Sequence, residues 1–193
     1  IQLSMVQNVK EVPYGVSDFR TMVEQNIYYV DKTMYIPELE KQARYIIFIR
    51  PRRFGKSVFL GMLHAYYDSH TKDKFEQWFG NLWIGKHPTP SQGRYQVLHL
   101  DFSMVGGNID NLEEKFNFYL GVQLNGFVRY YDEYYSDMIK QNVYATQDAG
   151  GKLAIIQNEA KMKDYPLYLI IDEYDNFTNT VLNEQGEKVY WAM

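Results

Sequence analysis

Two continuous apolar runs, Tyr45-Ile46-Ile47-Phe48-Ile49 and Leu167-Tyr168-Leu169-Ile170-Ile171, constrain this chain more than any other feature. Both are strand length, rich in β-branched and aromatic residues and free of polar alternation, so each predicts a strand buried on both faces. Both fall far short of the roughly 20 apolar residues a membrane helix needs. The stretch from Tyr95 to Phe102 reads as a further strand. Between the runs, Phe59, Leu60, Leu63, Tyr66 and Tyr67 recur at helical spacing over 57–67. Leu112, Phe116, Leu120, Leu124, Phe127, Tyr131 and Met138 predict a long helix, with Asp110 as its cap and Glu113 closing a capping box. Gly150-Gly151 predicts a break before a helix over 153–162, which Pro166 stops ahead of the acidic strand. Near the start, Ser17 is the expected cap of a helix over 18–25, and Pro37 opens another that runs to Ala43. Strands alternating with helices predict an α/β fold with a mostly parallel sheet.

A chain of 193 residues suits one domain with a sizeable core. Hydrophobic residues at 46% and aromatics at 17% exclude a disordered or low-complexity chain. Twenty basic against 24 acidic residues give a net charge of -4, so no global attraction to nucleic acid or an anionic membrane is expected, and any phosphate binding is local. The absence of cysteine removes disulfides, thiolate metal sites and cysteine nucleophiles, and fits a reducing, cytoplasmic setting. Ile1 and Met193 read as cut ends, with the domain incomplete after the acidic strand.

Two motifs carry chemistry. Arg50-Pro51-Arg52-Arg53-Phe54-Gly55-Lys56-Ser57 lies between a predicted strand and a helix and ends as a phosphate-binding loop ends. In that reading Gly55 lets backbone approach phosphate oxygens, Lys56 reaches the β- and γ-phosphates, and the Ser57 hydroxyl ligates magnesium. Arg53, Phe54 and Val58 complete the nucleotide-binding set. Arg50 stands where the general pattern has glycine, and a basic turn capping a helix is the other reading. Arg52 and Arg53 either neutralise triphosphate or contact another chain. The second motif, Leu169-Ile170-Ile171-Asp172-Glu173, is an apolar strand ending in two acids. Asp172 is expected to hold magnesium, and Glu173 to polarise the attacking water.

Together with Tyr14-Gly15-Val16-Ser17-Asp18-Phe19, Tyr28-Tyr29-Val30-Asp31-Lys32-Thr33 and Ile170-Ile171-Asp172-Glu173-Tyr174-Asp175, these motifs make the chain resemble the bacterial AAA-ATPase-like family. Its members often carry a nuclease-like PD-(D/E)XK domain farther downstream. The resemblance covers about Val12 to Phe177. It implies a P-loop NTPase-type three-layer fold, ATP and Mg2+ as cofactors, and Lys56 with Glu173 as catalytic residues. It also implies a segment over 12–44 packed near the nucleotide, with Tyr29, Val30 and Lys32 close to the base. A further strand between the phosphate-loop strand and the acidic strand is implied as well, and lies outside this sequence. A protein partner or neighbouring subunit is the expected source of an arginine finger. A nucleotide-gated interaction module with negligible hydrolysis is the alternative reading.

The remaining signals are weaker. Glu159-Ala160-Lys161 is the Glu-x-Lys triplet of many nucleases, but it stands in helical sequence. His64, His70, His87 and His99 show no paired metal-ligand spacing. The cluster Tyr130-Tyr131-Asp132-Glu133-Tyr134-Tyr135 is expected to pack a helix rather than stack bases, because its carboxylates repel phosphate. Direct nucleic-acid binding is not expected.

Overall fold

The structure is a computed structural model and describes residues 10–12, 15–42, 46–47, 55–105 and 111–174. The chain divides into two compact units, residues 1–66 with 71–93, and residues 67–70 with 94–193.

In the first unit, helix α1 (Phe19–Glu24) is capped by Asp18 rather than by the expected Ser17: the Asp18 carboxylate accepts from Thr21 N at 2.8 Å and from Thr21 Oγ1 at 2.7 Å. Asp18 stands three residues before Thr21, the spacing at which a capping side chain reaches the N3 amide. A 3-10 turn over Thr33–Tyr35 leads into α2 (Ile36–Glu40), with Pro37 in its first turn as expected. Helix α3 (Lys56–Tyr67) follows, then the short helices α4 (Phe75–Phe79) and α5 (Trp83–Lys86). Aromatic rings form much of this core. Phe19 stacks on Phe79 at 5.1 Å between centroids, and Tyr66 meets the same Phe79 edge-on at 5.5 Å. Trp78 Nε1 donates to Glu24 at 2.8 Å, tying α4 to α1.

The second unit holds the sheet. Strands β1 (Gln96–Asp101) and β2 (Leu167–Asp172) pair in parallel, with Gln96 opposite Leu167 and Asp101 opposite Asp172. Helices α6 (Leu112–Tyr130), α7 (Asp137–Ala145) and α8 (Ala149–Met162) connect them and pack on one another. Leu124, Val128, Tyr131 and Val143 are fully buried between these helices, and Leu100, Phe102, Val105 and Leu112 form a second cluster beside β1. The parallel α/β architecture is thus as expected from the alternation of strand and helix patterns.

Edge protection follows from side chains. Gln96 N donates towards β2, to Pro166 O at 2.9 Å. The alternate amides of β1 point the other way, where Val97 N donates to Tyr131 Oη at 2.7 Å and Asp101 N to Tyr119 Oη at 2.8 Å. Among the described residues no strand pairs with this side of β1, and phenol oxygens satisfy these amides instead.

Several local expectations change. Of the apolar run over 45–49, Ile46 and Ile47 are in no strand and are 44% and 76% exposed, and its other residues lie outside the described ones. β2 is not buried on both faces: Ile170 is 4% exposed, but Leu169 is 57% and Ile171 38% exposed. The long helix ends at Tyr130 rather than running to Met138; Asn111, without a side-chain hydrogen bond, is its N-cap, so the capping box does not form there. Asp110 lies outside the described residues. Gly150 and Gly151 do not break the chain but sit in the first turn of α8, where Asp148 accepts from Gly151 N at 2.7 Å. A β-carbon on Gly151 would stand 2.9 Å from Thr146 Cγ2, so the entry into this helix leaves no room for a side chain.

Candidate functional site

Gly55 precedes the first turn of α3 at φ +74°, in the left-handed region where a side chain is strained. Its carbonyl accepts from Phe59 N at 3.0 Å, the first helical bond of α3. Lys56, Ser57 and Val58 therefore occupy the opening turn of a helix whose dipole favours an anion at this end. Gly55, Lys56, Ser57 and Val58 are all half-buried. Arg53 and Phe54 lie outside the described residues.

The acidic motif lies in the second unit. Asp172 ends β2, is 5% exposed, and accepts from Glu173 N at 2.8 Å. That bond turns the chain sharply: Glu173 has φ 54°, a left-handed backbone uncommon for any residue but glycine, asparagine or aspartate. Glu173 itself is half-buried. Beside Asp172 in register stands Asp101 at the end of β1, whose carboxylate accepts from Ser103 N at 2.9 Å. Two like charges on adjacent strands oppose pairing, so both strand ends carry a local cost. The second acid was readable, since Leu98-His99-Leu100-Asp101 repeats the pattern of an apolar strand ending in an aspartate.

An open pocket of about 870 Å3 lies between the end of β1 and α6, lined in part by His99, Asp101, Glu114, Phe118 and Tyr119; neither Asp172 nor Glu173 lines it. Among the described residues, no group of three or more His, Asp or Glu is gathered as a metal site. A magnesium ion carried on a nucleotide needs only one or two protein donors, because phosphate and water oxygens fill the rest of its shell. A serine hydroxyl and an aspartate carboxylate are hard oxygen donors of that kind; Ser57 lies in the first unit and Asp172 in the second. Glu159 of the Glu-x-Lys triplet is 8% exposed in α8 and pairs with Lys163 at 2.7 Å, a helix-stabilising contact. Of the aromatic cluster, Tyr131 and Tyr135 are buried in the helical core as expected, and Tyr130 is 38% exposed. No described helix is long and apolar enough to cross a membrane.

A parallel pair of strands joined by helices defines an α/β protein. The chain belongs to the family described as predicted AAA-ATPase, whose model matches residues 13–193. It is also similar to an uncharacterized protein of the vnfD 5' region from Azotobacter chroococcum mcd 1, with 44% identity over 55 residues, 28% of this chain and 11% of that relative. No solved structure matches the chain.

Proposed function

We propose that this chain is the nucleotide-binding part of an ATPase, with the P-loop NTPase arrangement its motifs imply. The observation that carries the reading is Gly55 at φ +74° directly before the 12-residue helix that begins with Lys56 and Ser57. A glycine with no β-carbon in the way, a helix N-terminus and a lysine at the same point are the three things a polyphosphate needs. Family membership over residues 13–193 supports nucleotide use.

In this reading the amides of Gly55 to Val58 bind phosphate oxygens, with Arg53 and Phe54 completing the loop, and the Lys56 ammonium compensates charge on the transferring phosphoryl group. Ser57 and Asp172 are the magnesium donors; the ion, when bound, offsets phosphate charge. Glu173 orients and polarises the attacking water. Its left-handed backbone supports that role, because a strained residue held at the end of a strand is a feature that functional sites retain at a cost of order 1–3 kcal/mol. A cytoplasmic setting and a partner or neighbouring subunit that supplies an arginine complete the proposal.

The test is calorimetric titration of ATP with and without Mg2+, together with phosphate release, for the parent chain and Lys56→Ala. Magnesium-dependent binding that falls at least about tenfold in the variant is expected, since a charge-assisted hydrogen bond to phosphate is removed. Unchanged affinity in Lys56→Ala would overturn the reading.

A further inference from the structure

We propose that Lys32 is a second phosphate-binding lysine of the Gly-Lys-Ser loop, gripping the polyphosphate of the nucleotide rather than its base; this rests on the function proposed above. The observation is a close approach inside the first unit. A β-carbon built on Gly55 would stand 3.6 Å from Lys32 Nζ, so the ammonium lies directly against the glycine that keeps the loop open. A lysine held there is at the phosphate end of the loop.

Among the described residues the Lys32 ammonium has neither a carboxylate nor a hydrogen-bond partner, although an aspartate precedes it in sequence. Asp31 is committed elsewhere. Its Oδ1 accepts from Thr33 N at 2.8 Å and Thr33 Oγ1 at 2.7 Å, and its Oδ2 accepts from Trp83 N at 2.7 Å. Thr33 is fully buried, and its hydroxyl oxygen also accepts from Ile84 N at 3.1 Å. On the other side, Tyr29 packs edge-on against Phe19 at 5.1 Å. The backbone that carries Lys32 is thus fixed on both sides to the core of its unit, so anion binding has only the lysine side chain left to order.

Two ammonium groups, Lys32 against Gly55 and Lys56 next to it in sequence, concentrate positive charge at one loop of a chain whose net charge is -4. The Lys32 ammonium, half-buried and without a carboxylate among the described residues, is unfavourable there until an anion arrives. The ligand such a pair favours has several charged oxygens on adjacent centres, which is a di- or triphosphate. A compact ammonium suits this task because it acts as a point charge and makes no demand for a planar, two-pronged partner.

The experiment titrates ATP and inorganic tripolyphosphate separately into the parent chain, Lys32→Gln, Lys32→Arg and Lys56→Ala. Thermal melting confirms that each variant is folded. Lys32→Gln is expected to weaken both ligands by roughly tenfold to a hundredfold and to flatten the salt dependence of binding, while Lys32→Arg retains most of the affinity. Loss of ATP affinity with tripolyphosphate unchanged would overturn the proposal in favour of a contact with the base. Equal or tighter binding of both ligands by Lys32→Gln would overturn it in favour of a lysine that merely occupies the loop. If Lys56→Ala weakens binding and Lys32→Gln leaves it unchanged, the Lys32 inference fails alone; if neither variant matters, or the parent binds neither ligand, the loop reading falls with it.

Discussion

Removing one oxygen atom, in Tyr131→Phe, is expected to cost about 3 kcal/mol of folding stability. The Tyr131 side chain is fully buried, and its hydroxyl works in two directions: it donates to Asp68 Oδ1 at 2.9 Å and accepts from Val97 N at 2.7 Å. Burial and then the charge of Asp68 push the phenol far above its ordinary value, so it remains a donor at any accessible pH. Asp68 is itself fully buried and also accepts from Tyr130 Oη at 2.8 Å and His70 N at 2.9 Å. Phenylalanine at 131 strands the Val97 amide, worth roughly 1–3 kcal/mol, and deprives a buried carboxylate of a donor worth roughly 1.5–3 kcal/mol; repacking and the lost desolvation of the hydroxyl reduce the sum. The control is Tyr130→Phe. Its hydroxyl serves the same carboxylate, but the residue is 38% exposed, so water can replace the bond and the cost is about 1 kcal/mol. Urea unfolding of the parent and both variants measures the difference. At an m-value of about 2 kcal/mol/M the midpoint of Tyr131→Phe should fall by about 1.5 M. A cost under about 1 kcal/mol, or equal costs for the two variants, would refute the claim that this buried hydroxyl secures the edge of β1.

Three other outcomes follow from the same reasoning, beside the Lys56 and Lys32 titrations. Partial burial alone raises the Asp18 carboxyl, but hydrogen bonds from Thr21 and the charge of Arg20 outweigh it and hold the group below its ordinary 3.8. The stabilisation this cap contributes is therefore complete above that value and is lost as pH falls through the lower, folded one. Asp18→Asn should keep the cap and remove this acid sensitivity, and Asp18→Ala should cost about 1 kcal/mol at neutral pH, both measured by denaturant unfolding across pH. Gly85→Ala should cost more than about 2 kcal/mol in the same assay, because the new carbon would stand 2.1 Å from the backbone oxygen of Phe79, which has little freedom to move.

Parts of both units were legible from the chain alone. Leu167-Tyr168-Leu169-Ile170-Ile171-Asp172 forms the strand its composition predicts, and α3 begins one residue before the expected Ser57. These elements are dictated by hydrophobic period and by glycine and proline punctuation. The placement of Gly55-Lys56-Ser57 at a helix start was equally local, since it involves only consecutive residues. What the pattern missed were competitions between neighbours of similar chemistry: Asp18 rather than Ser17 at a cap, or two glycines that enter a helix because Asp148 caps it.

Long-range pairing decided the rest. No local rule places the Lys32 ammonium against Gly55, because that contact depends on Asp31 and Thr33 being tied to Trp83 and Ile84 some fifty positions later. Nor does any window of sequence show that Asp68 would be buried beneath two tyrosines, or that a tyrosine oxygen would satisfy an edge amide of β1. The exposure of Leu169 and Ile171 has the same origin: an apolar run predicts a strand, but burial is a property of whatever packs on it. Sequence by itself determined several of the helices and the acidic strand, through hydrophobic period and glycine and proline punctuation. Tertiary structure determined which charges are buried and which polar atoms are satisfied, because those depend on side chains brought together only after distant parts of the chain have closed on each other.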